Sequence, residues 1–475
     1  MPWVNKMDTP ICDFLREYAQ SNTCRLHMPG HKGSAYLGIE HLDITEIKGA
    51  DSLYEAEGII AKSEANASKL FGCRTLYSTE GSSQCIRAML YLISLYAKQR
   101  GRRPLIAAGR NAHKAFLTAA ALLDADICWL YPQNSVSYLS CDLTAAELEA
   151  YLQSAKERPV AVYLTSPDYL GIISDIRAVA EVCHRYGVLL AVDNAHGAYL
   201  KFLPESLHPM DLGADLCCDS AHKTLPVLTG GAYLHLSAGM DAAVGEQAKN
   251  ALMLFGSTSP SYLILASLDA ANQFLANYPE QLGKQIPKLE ALKARLSQQG
   301  YVLYGSEALK LTIQAKPYGY TGNLLAELLR QMKIEPEFAD QDYLVLMLSA
   351  ETGEEDLARL EQALCRIPPR TPVADECPAF VPGEQVMTIR EAALACSELL
   401  PVEQCLGRIL AVPTVGCPPA VPILVCGERI DPHAMECFAY YGIDHCFVVK
   451  ESKEKVQAVS TALQSAAQKE PLETT

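Results

Sequence analysis

A lysine at the end of an apolar stretch is the first residue whose type and position suggest chemistry. Lys223 lies in the run Ser220-Ala221-His222-Lys223, which follows the apolar segment Ala214–Asp219. A lysine amine is nucleophilic near neutral pH only when it is partly desolvated, and a strand end inside a folded domain provides such surroundings. The position predicts a candidate Schiff-base lysine, although by itself it is also compatible with an ordinary surface lysine.

An aspartate thirty residues before this lysine strengthens the hypothesis. Asp193 follows the apolar segment Gly187–Val192 and opens the run Asp193-Asn194-Ala195-His196. An aspartate at one strand end and a lysine at the next suit pyridoxal phosphate (PLP), because the carboxylate keeps the pyridine nitrogen protonated so that the ring accepts electrons. Taken alone, Asp193 is equally compatible with a helix or turn cap.

Two further polar clusters complete the pattern. The turn Gly81-Ser82-Ser83 opens an apolar, helix-like run and offers backbone N–H groups and hydroxyls to a phosphate. His113, in the run Arg110-Asn111-Ala112-His113-Lys114, could stack on a flat cofactor. The ordinary alternatives are a serine-rich N-cap and a structural histidine. Because three of the four clusters follow predicted strands and the fourth opens a helix-like run, we interpret them as one site.

The elements that must position these residues alternate between short apolar strands and helices from about residue 70 to 240. This alternation predicts an α/β fold with a mostly parallel sheet, helices on both faces and ligands at the carboxyl ends of the strands. Ser174 and Gly187 are expected to cap the two ends of one helix. The predicted strands are Pro104–Gly109, Asp126–Tyr131, Pro159–Thr165, Gly187–Val192, Ala214–Asp219 and Gly231–Leu236.

Composition and proline content suggest how the 475 residues divide. We expect an N-terminal arm over 1–28, a large PLP-binding domain over 29–262 and a smaller α/β domain over 263–368. A proline-rich linker over 369–383 leads to a separate C-terminal α+β domain over 384–475.

Charge and cysteine usage exclude several classes of function. The net charge is −15 and no basic run is present, which argues against a nucleic-acid partner. No apolar run is long enough to span a bilayer, and charged residues near the start argue against a signal peptide. The 17 cysteines are dispersed, without metal-ligand spacing. We therefore expect a cytoplasmic protein with reduced thiols, no membrane contact and no metal site.

The sequence resembles the Orn/Lys/Arg decarboxylase family of PLP enzymes, which have the aspartate-aminotransferase fold, PLP fold type I. The resemblance covers almost the whole chain, and no receiver-like segment precedes its first motif, as in the short bacterial forms that resemble arginine decarboxylase. It is carried by Leu26-His27-Met28-Pro29-Gly30-His31-Lys32-Gly33, Arg110-Asn111-Ala112-His113-Lys114, Ser166-Pro167-Asp168-Tyr169-Leu170-Gly171, Ser220-Ala221-His222-Lys223-Thr224-Leu225-Pro226 and Ser257-Thr258-Ser259-Pro260-Ser261-Tyr262.

This resemblance implies a role for each candidate residue. Lys223 would form the internal aldimine with PLP, Asp193 would pair with its pyridinium nitrogen, and His113 would stack on its ring. His196 would lie near the phenolic oxygen, and His222 would protonate the carbanion after CO2 leaves. The phosphate would be bound by Gly81, Ser82, Ser83 and Ser220. Thr258 would serve the phosphate site of a second subunit, which implies a homodimer or a larger homo-oligomer.

The implied reaction is decarboxylation of a basic amino acid to its amine. Arginine to agmatine is the first expectation, followed by lysine to cadaverine and ornithine to putrescine; the carboxylates of Glu337 and Asp340 suit a cationic side chain. One alternative is an aminotransferase or another PLP lyase on the same fold, in which Arg366 would hold the substrate carboxylate. Another is a catalytically silent relative.

The chain departs from the family pattern at three places. Asn194 stands where the family has glutamate, and Glu80 stands in the phosphate turn where the family has asparagine. The stretch Cys417-Pro418-Pro419-Ala420-Val421-Pro422 replaces Tyr-Pro-Pro-Gly-Ile-Pro. These changes bear on the choice of substrate.

Overall fold

A seven-stranded sheet is the centre of the larger part of the molecule. The computed structural model describes residues 7–133, 137–375, 377–379, 381–412 and 421–451. The spatial order is β1-β7-β6-β5-β4-β2-β3; the neighbours from β6 to β3 run parallel, and β7 is antiparallel to both β1 and β6. The strands are β1 Arg74–Ser78, β2 Leu105–Gly109, β3 Asp126–Leu130, β4 Ala161–Thr165, β5 Leu189–Asp193, β6 Leu216–Asp219 and β7 Ala232–Leu236.

All six predicted strands of this sheet are confirmed, with starts and ends that differ by at most two residues. The edge strand β1 was not predicted, because its five residues include Arg74, Thr75 and Ser78 and form no continuous apolar run. The predicted cap at Ser174 is wrong. The Asp175 side chain accepts the hydrogen bond from the Ala178 amide instead, at 3.1 Å, whereas Gly187 has the expected left-handed conformation.

Helices cover both faces of the sheet, as the alternating pattern requires. Along β4, Ala161 and Tyr163 pack with α3 and α4, while Val162 and Leu164 pack with α5 and α6 on the other face. The helices of this part are α1 Pro10–Gln20, α2 Ile59–Phe71, α3 Gly81–Gln99, α4 Lys114–Leu123, α5 Ala145–Ser154, α6 Ile176–Arg185, α7 Ala221–Thr224, α8 Ala242–Gly245 and α9 Ala248–Met253.

A second, smaller sheet follows in the chain. Its strands are antiparallel in the order β10-β11-β9-β8. Its apolar side chains share one hydrophobic cluster with α1, α2, α10 and α11, so this unit packs directly on the larger part. Its elements are α10 Tyr262–Leu275, α11 Tyr278–Gln298, β8 Val302–Tyr304, β9 Lys310–Gln314, α12 Gly322–Gln331, β10 Phe338–Ala339, β11 Tyr343–Met347 and α13 Glu354–Arg366.

The C-terminal part is attached to the end of β2 by a buried arginine. Arg110 donates to the carbonyls of Pro422 and Ile423 at 3.0 and 2.9 Å and forms an ion pair of 3.3 Å with Glu428. Cys417-Pro418-Pro419-Ala420 lies outside the described residues. The elements of this part are α14 Ile389–Ala393, β12 Ser397–Pro401, α15 Pro432–Tyr440 and β13 His445–Val449.

Within the described ranges, no helix is both long and apolar enough to cross a bilayer. The cysteines in those ranges are all free.

Candidate active site

A cleft of about 180 Å³ lies where β5, β6 and the start of α3 meet. Strand ends of a parallel sheet are the expected place for a ligand, because the loops that follow them diverge. The structure brings together most of the residues that the sequence singled out. The cleft is lined by Gly81, Ser82, Ser83, His113, Asp193, Ala195, Ser220, His222 and Lys223.

Lys223 lies on the short helix α7, immediately after β6. Its Nζ is 2.8 Å from Nε2 of His196. Burial lowers the pKa of Lys223, since a charged amine loses its hydration there, and the charges of Asp193 and Glu337 oppose this effect. The lowered pKa favours the neutral, nucleophilic form of the amine.

Asp193 is the last residue of β5 and is buried. Its carboxylate accepts hydrogen bonds from the Tyr163 hydroxyl and the Ala195 amide, both at 3.2 Å. Burial raises the pKa of Asp193, and the charge of Lys223 opposes it. Among the described side chains none forms a direct ion pair with this carboxylate, so a cationic ring nitrogen in the cleft would be strongly favoured.

The start of α3 provides hydrogen-bond donors for an anion. Its N-cap residue, Glu80, is exposed and makes no side-chain capping bond. Gly81 has φ +72° and its amide donates to the Gly230 carbonyl at 2.7 Å; a Cβ added to Gly81 would meet no atom within 4 Å. The Ser220 hydroxyl donates to the Ser82 hydroxyl at 2.7 Å. Uncapped amides and paired hydroxyls at a helix N-terminus are hydrogen-bond donors that suit a phosphate group.

His113 is the N-cap of α4, and its ring lines the cleft. Its Nδ1 accepts a hydrogen bond from the Ala115 amide at 3.1 Å, so the neutral ring carries its hydrogen on Nε2. Burial lowers the pKa of His113 to about 4, and the charge of Lys223 contributes to this effect. A neutral, flat ring in this position suits stacking on a cofactor.

His222 is oriented by a backbone carbonyl. Its Nδ1 donates to the Gly231 oxygen at 3.1 Å, which leaves Nε2 as the nitrogen that gains or loses a proton. Burial lowers the pKa of His222, so a proton on Nε2 is readily given up. His222 lines the cleft. An acid–base group must lie there to be within reach of the reacting atoms.

His196 lies behind Lys223 and contacts a second lysine. Lys310, the first residue of β9, places its Nζ 3.1 Å from the His196 Nδ1 and 2.6 Å from the carboxylate of Glu307. Sequence reasoning missed Lys310, Glu307 and Tyr163. The weak signal for Lys310 is a charged residue at the start of an apolar strand, and nothing in the sequence joins it to His196.

Two other expected site residues lie outside this cleft. Thr258 is exposed and does not line the cleft of its own chain, so its role toward a second subunit stays a prediction. Arg366 ends α13 and is exposed; it is not among the residues that line the cleft.

The two departures that lie in described residues have local explanations. The Asn194 amide donates to the Asp219 carboxylate at 2.7 Å, whereas a glutamate there would place two carboxylates against each other. Glu80 is exposed to solvent beside the phosphate turn.

The residues of the cleft fit PLP. A phosphate matches the amides and hydroxyls at the start of α3, and a protonated pyridine nitrogen matches the buried carboxylate of Asp193. A carbonyl carbon matches the neutral amine of Lys223, and the flat ring matches His113. The donor set therefore suits each part of this cofactor.

Comparison with known proteins gives a consistent result. The profile of the family described as "Orn/Lys/Arg decarboxylase, major domain" matches residues 9–314. The arginine decarboxylase of Bacillus subtilis is 29% identical over 462 residues, which cover 90% of this chain and 92% of that protein. The arginine decarboxylase of Halalkalibacterium halodurans is 29% identical over 461 residues, covering 89% and 91% of the two chains.

A solved structure shows the same fold. The Francisella novicida lysine decarboxylase superposes with a TM-score of 0.78 at 18% identity, covering 94% of this chain and 82% of that one. The α/β fold expected from the sequence is thereby confirmed.

Proposed function

The chain belongs to the Orn/Lys/Arg decarboxylase family of PLP-dependent amino-acid decarboxylases, and on that premise we propose that it converts arginine to agmatine. The observation that carries the proposal is that Lys223 and Asp193 line one cleft together with His113 and His222. The choice of arginine over lysine or ornithine rests on the similarity to arginine decarboxylases over about nine-tenths of the chain.

The lining of the cleft favours decarboxylation over amino-group transfer. An aminotransferase holds the substrate carboxylate with a cation, typically arginine, which stabilises the carboxylate against loss. The residues that line the described cleft include no arginine. Without such a clamp the carboxylate is not held back by a salt bridge, and release of CO2 is favoured.

Glu337 is the proposed partner for the cationic end of the substrate. It is exposed, it accepts a hydrogen bond from the Tyr169 hydroxyl at 3.2 Å, and its charge acts on both Lys223 and His222. A carboxylate whose charge reaches the cleft can bind a guanidinium group through two parallel hydrogen bonds, which a single ammonium group cannot reproduce.

Each functional residue of the cleft has a separate proposed role in the reaction. When bound, PLP supplies an electron sink for the electron pair that CO2 leaves behind. Lys223 would provide the amine that holds the cofactor, and Asp193 would keep a proton on its ring nitrogen. His113 would stack on the ring. Nε2 of His222 holds the proton for the reacting carbon, and Nδ1 fixes the orientation of that imidazole through Gly231.

A product assay tests the proposal. Purified protein is incubated with PLP and, separately, with arginine, lysine or ornithine, and the products are identified by mass. We expect agmatine from arginine, at a higher kcat/KM than cadaverine or putrescine from the other two. A 2-oxo acid would identify an aminotransferase. No product from any substrate, with PLP bound, would identify a silent relative. Lys223→Ala is the matched inactive control.

A further inference from the structure

A buried lysine from the smaller sheet reaches the site of the larger one. Lys310 is the first residue of β9, and its side chain is 1% exposed. Its Nζ lies 2.6 Å from the Glu307 carboxylate, 3.0 Å from the Asp168 carbonyl and 3.1 Å from Nδ1 of His196. Burying a lysine in such surroundings costs desolvation free energy. The reaction as described makes no use of Lys310.

An ammonium group only donates hydrogen bonds. The Asp168 carbonyl and Nδ1 of His196 therefore each accept a hydrogen from Lys310, while the Glu307 carboxylate pairs with its charge. If the proton moved to Glu307, the neutral amine would accept from that carboxyl group and still donate two hydrogens. In both cases Nδ1 of His196 is an acceptor.

The protonation state of His196 follows from this arrangement. Burial lowers the pKa of His196 far below its usual value, and the charge of Lys310 acts in the same direction. The ring is therefore neutral and has a single N–H group. Because Nδ1 accepts from Lys310, the hydrogen must be on Nε2, which is 2.8 Å from the Nζ of Lys223.

We propose that Lys310, held in place by Glu307, is a positioning residue that fixes His196 with its hydrogen on Nε2 and so presents a hydrogen-bond donor to the amine of Lys223. The N–H at Nε2 of His196 can bond to Nζ of Lys223 only when Nζ has a lone pair, which an ammonium group lacks. The arrangement therefore keeps Lys223 neutral and nucleophilic. The proposal concerns the protein's own residues, and it deepens the proposed function by explaining how the cofactor lysine is activated.

Other charged or titratable groups also act on these two residues. Asp193, Glu337 and Cys218 act on Lys223, and His113 and His222 act on His196. None of them is altered in the test below, so a change in Lys223 would be assigned to Lys310 and His196.

The test measures the protonation of Lys223 in the protein without PLP. Competitive acetylation with a trace of acetic anhydride across a range of pH values, followed by peptide mass spectrometry, gives the reactivity of each lysine. The measurement needs no turnover, so its result is independent of the decarboxylase assay. Either of the two proposals can therefore fail while the other holds.

The informative variant is E307Q/K310M, which removes the donor to His196. It deletes one positive and one negative charge together, so the net charge near Lys223 stays the same. Nδ1 of His196 can then take the hydrogen, and Nε2 accepts from a charged Lys223. We expect the acetylation of Lys223 at pH 7 to fall about tenfold or more, with a matching rise in its pH midpoint.

Two further variants separate positioning from a structural role. E307Q/K310Q keeps an N–H donor at residue 310 and should restore most of the reactivity. K293M is the matched control, because Lys293 donates to the backbone oxygens of Glu307 and Ala308 at 3.0 and 3.1 Å without contacting His196. Its Lys223 reactivity should equal that of the native protein.

A His196→Leu background decides whether the effect passes through the imidazole. There, E307Q/K310M should cause no further change in Lys223 reactivity. A melting curve checks the fold of each variant. If E307Q/K310M does not fold, His196→Leu alone must lower the acetylation of Lys223 at pH 7. Unchanged acetylation of Lys223 in a folded E307Q/K310M protein would overturn the proposal. It would also be overturned if E307Q/K310M shifted this acetylation equally in the His196→Leu background.

Discussion

At the scale of single residues, burial sets the protonation states of the cleft. It lowers the pKa of Lys223 and of His113, and it raises the pKa of Asp193. All three shifts favour the neutral forms, because each charge would lose its hydration. The cost of an unpaired buried carboxylate at Asp193 is relieved when a protonated ring nitrogen binds beside it. The cleft is therefore more stable with a cationic heterocycle than without one.

Replacing Asp193 by asparagine tests this charge with little change in size. The amide oxygen can still accept from Ala195 and its NH2 can donate to the Tyr163 hydroxyl, but the side chain cannot keep a ring nitrogen protonated. We expect turnover in Asp193→Asn to fall by about 10² or more, with the melting temperature without PLP unchanged or raised. Steady-state kinetics and calorimetry measure the two effects. Near-native turnover would show that the charge of Asp193 is not required for the reaction.

His113 has two functions that can be separated, because its Nδ1 caps α4 while its ring faces the cleft. His113→Asn keeps a capping acceptor and loses the ring, so PLP retention and turnover should fall at nearly native stability. His113→Phe keeps the ring and loses the cap, which should cost about 1 kcal/mol of stability with better PLP retention. Equilibrium dialysis and thermal melting compare the two. Equal PLP retention in both variants would assign His113 a purely structural role.

Sequence reasoning singled out Lys223, Asp193 and His113 because each closely follows an apolar strand, although each alone also has an ordinary structural explanation. It did not identify Lys310, whose contact with His196 joins residues 114 positions apart. No local pattern reports a contact that is made only when two sheets pack together.

At the scale of elements, the end of β6 is held by a buried network around Asp219. Its carboxylate accepts from His208 and His235 at 3.1 and 3.0 Å and from the Asn194 amide. Asp219 precedes Ser220 directly, so the network fixes the backbone from which the proposed phosphate ligand and Lys223 project. It also explains how Asn194 is accommodated one residue after Asp193.

The charge on His235 makes the stability of this element depend on pH. Burial opposes the charge, but the pairing with Asp219 prevails and raises the pKa of His235 from 6.5 to about 9. Because the folded pKa is above the unfolded value, this stabilisation is complete below about pH 6.5 and is lost as the pH rises to about 9. Denaturant unfolding of the native protein and His235→Gln should differ more at pH 6 than at pH 9.5. A difference that is constant or grows with pH would contradict this assignment.

The apolar runs that form the centre of the large sheet were predictable because both faces of such strands are buried. The antiparallel direction of β7 was not, since strand direction depends on connections rather than on composition. The strands of the smaller sheet are short, from two to five residues, and carry little periodicity of their own.

At the scale of the whole molecule, the segment after α1 leaves large apolar side chains uncovered. Leu26, Tyr36 and Leu37 are 89%, 81% and 83% exposed, and Met28 is 69% exposed. Such exposure of several apolar side chains in one segment is typical of an interface. Together with the exposed Thr258, it supports the prediction that two copies pair with their sites shared.

Subunit mixing tests that prediction. Lys223→Ala removes the amine, and Thr258→Glu places a negative charge where the partner's phosphate site is expected. Each variant alone should be inactive. When the two are unfolded and refolded together, mixed dimers contain one intact site, so about a quarter of the native activity should return. If the mixture stays inactive while size measurements show dimers, Thr258 does not serve the second subunit.

The central claim is that Lys223 is the residue that holds PLP, and borohydride reduction tests it most directly. The protein is loaded with PLP, reduced, digested and mapped by mass spectrometry. We expect a pyridoxyl adduct on Lys223 alone and its loss in Lys223→Ala, which should still bind PLP without a covalent bond. An adduct on another lysine instead, such as the exposed Lys114 or the buried Lys310, would contradict the account.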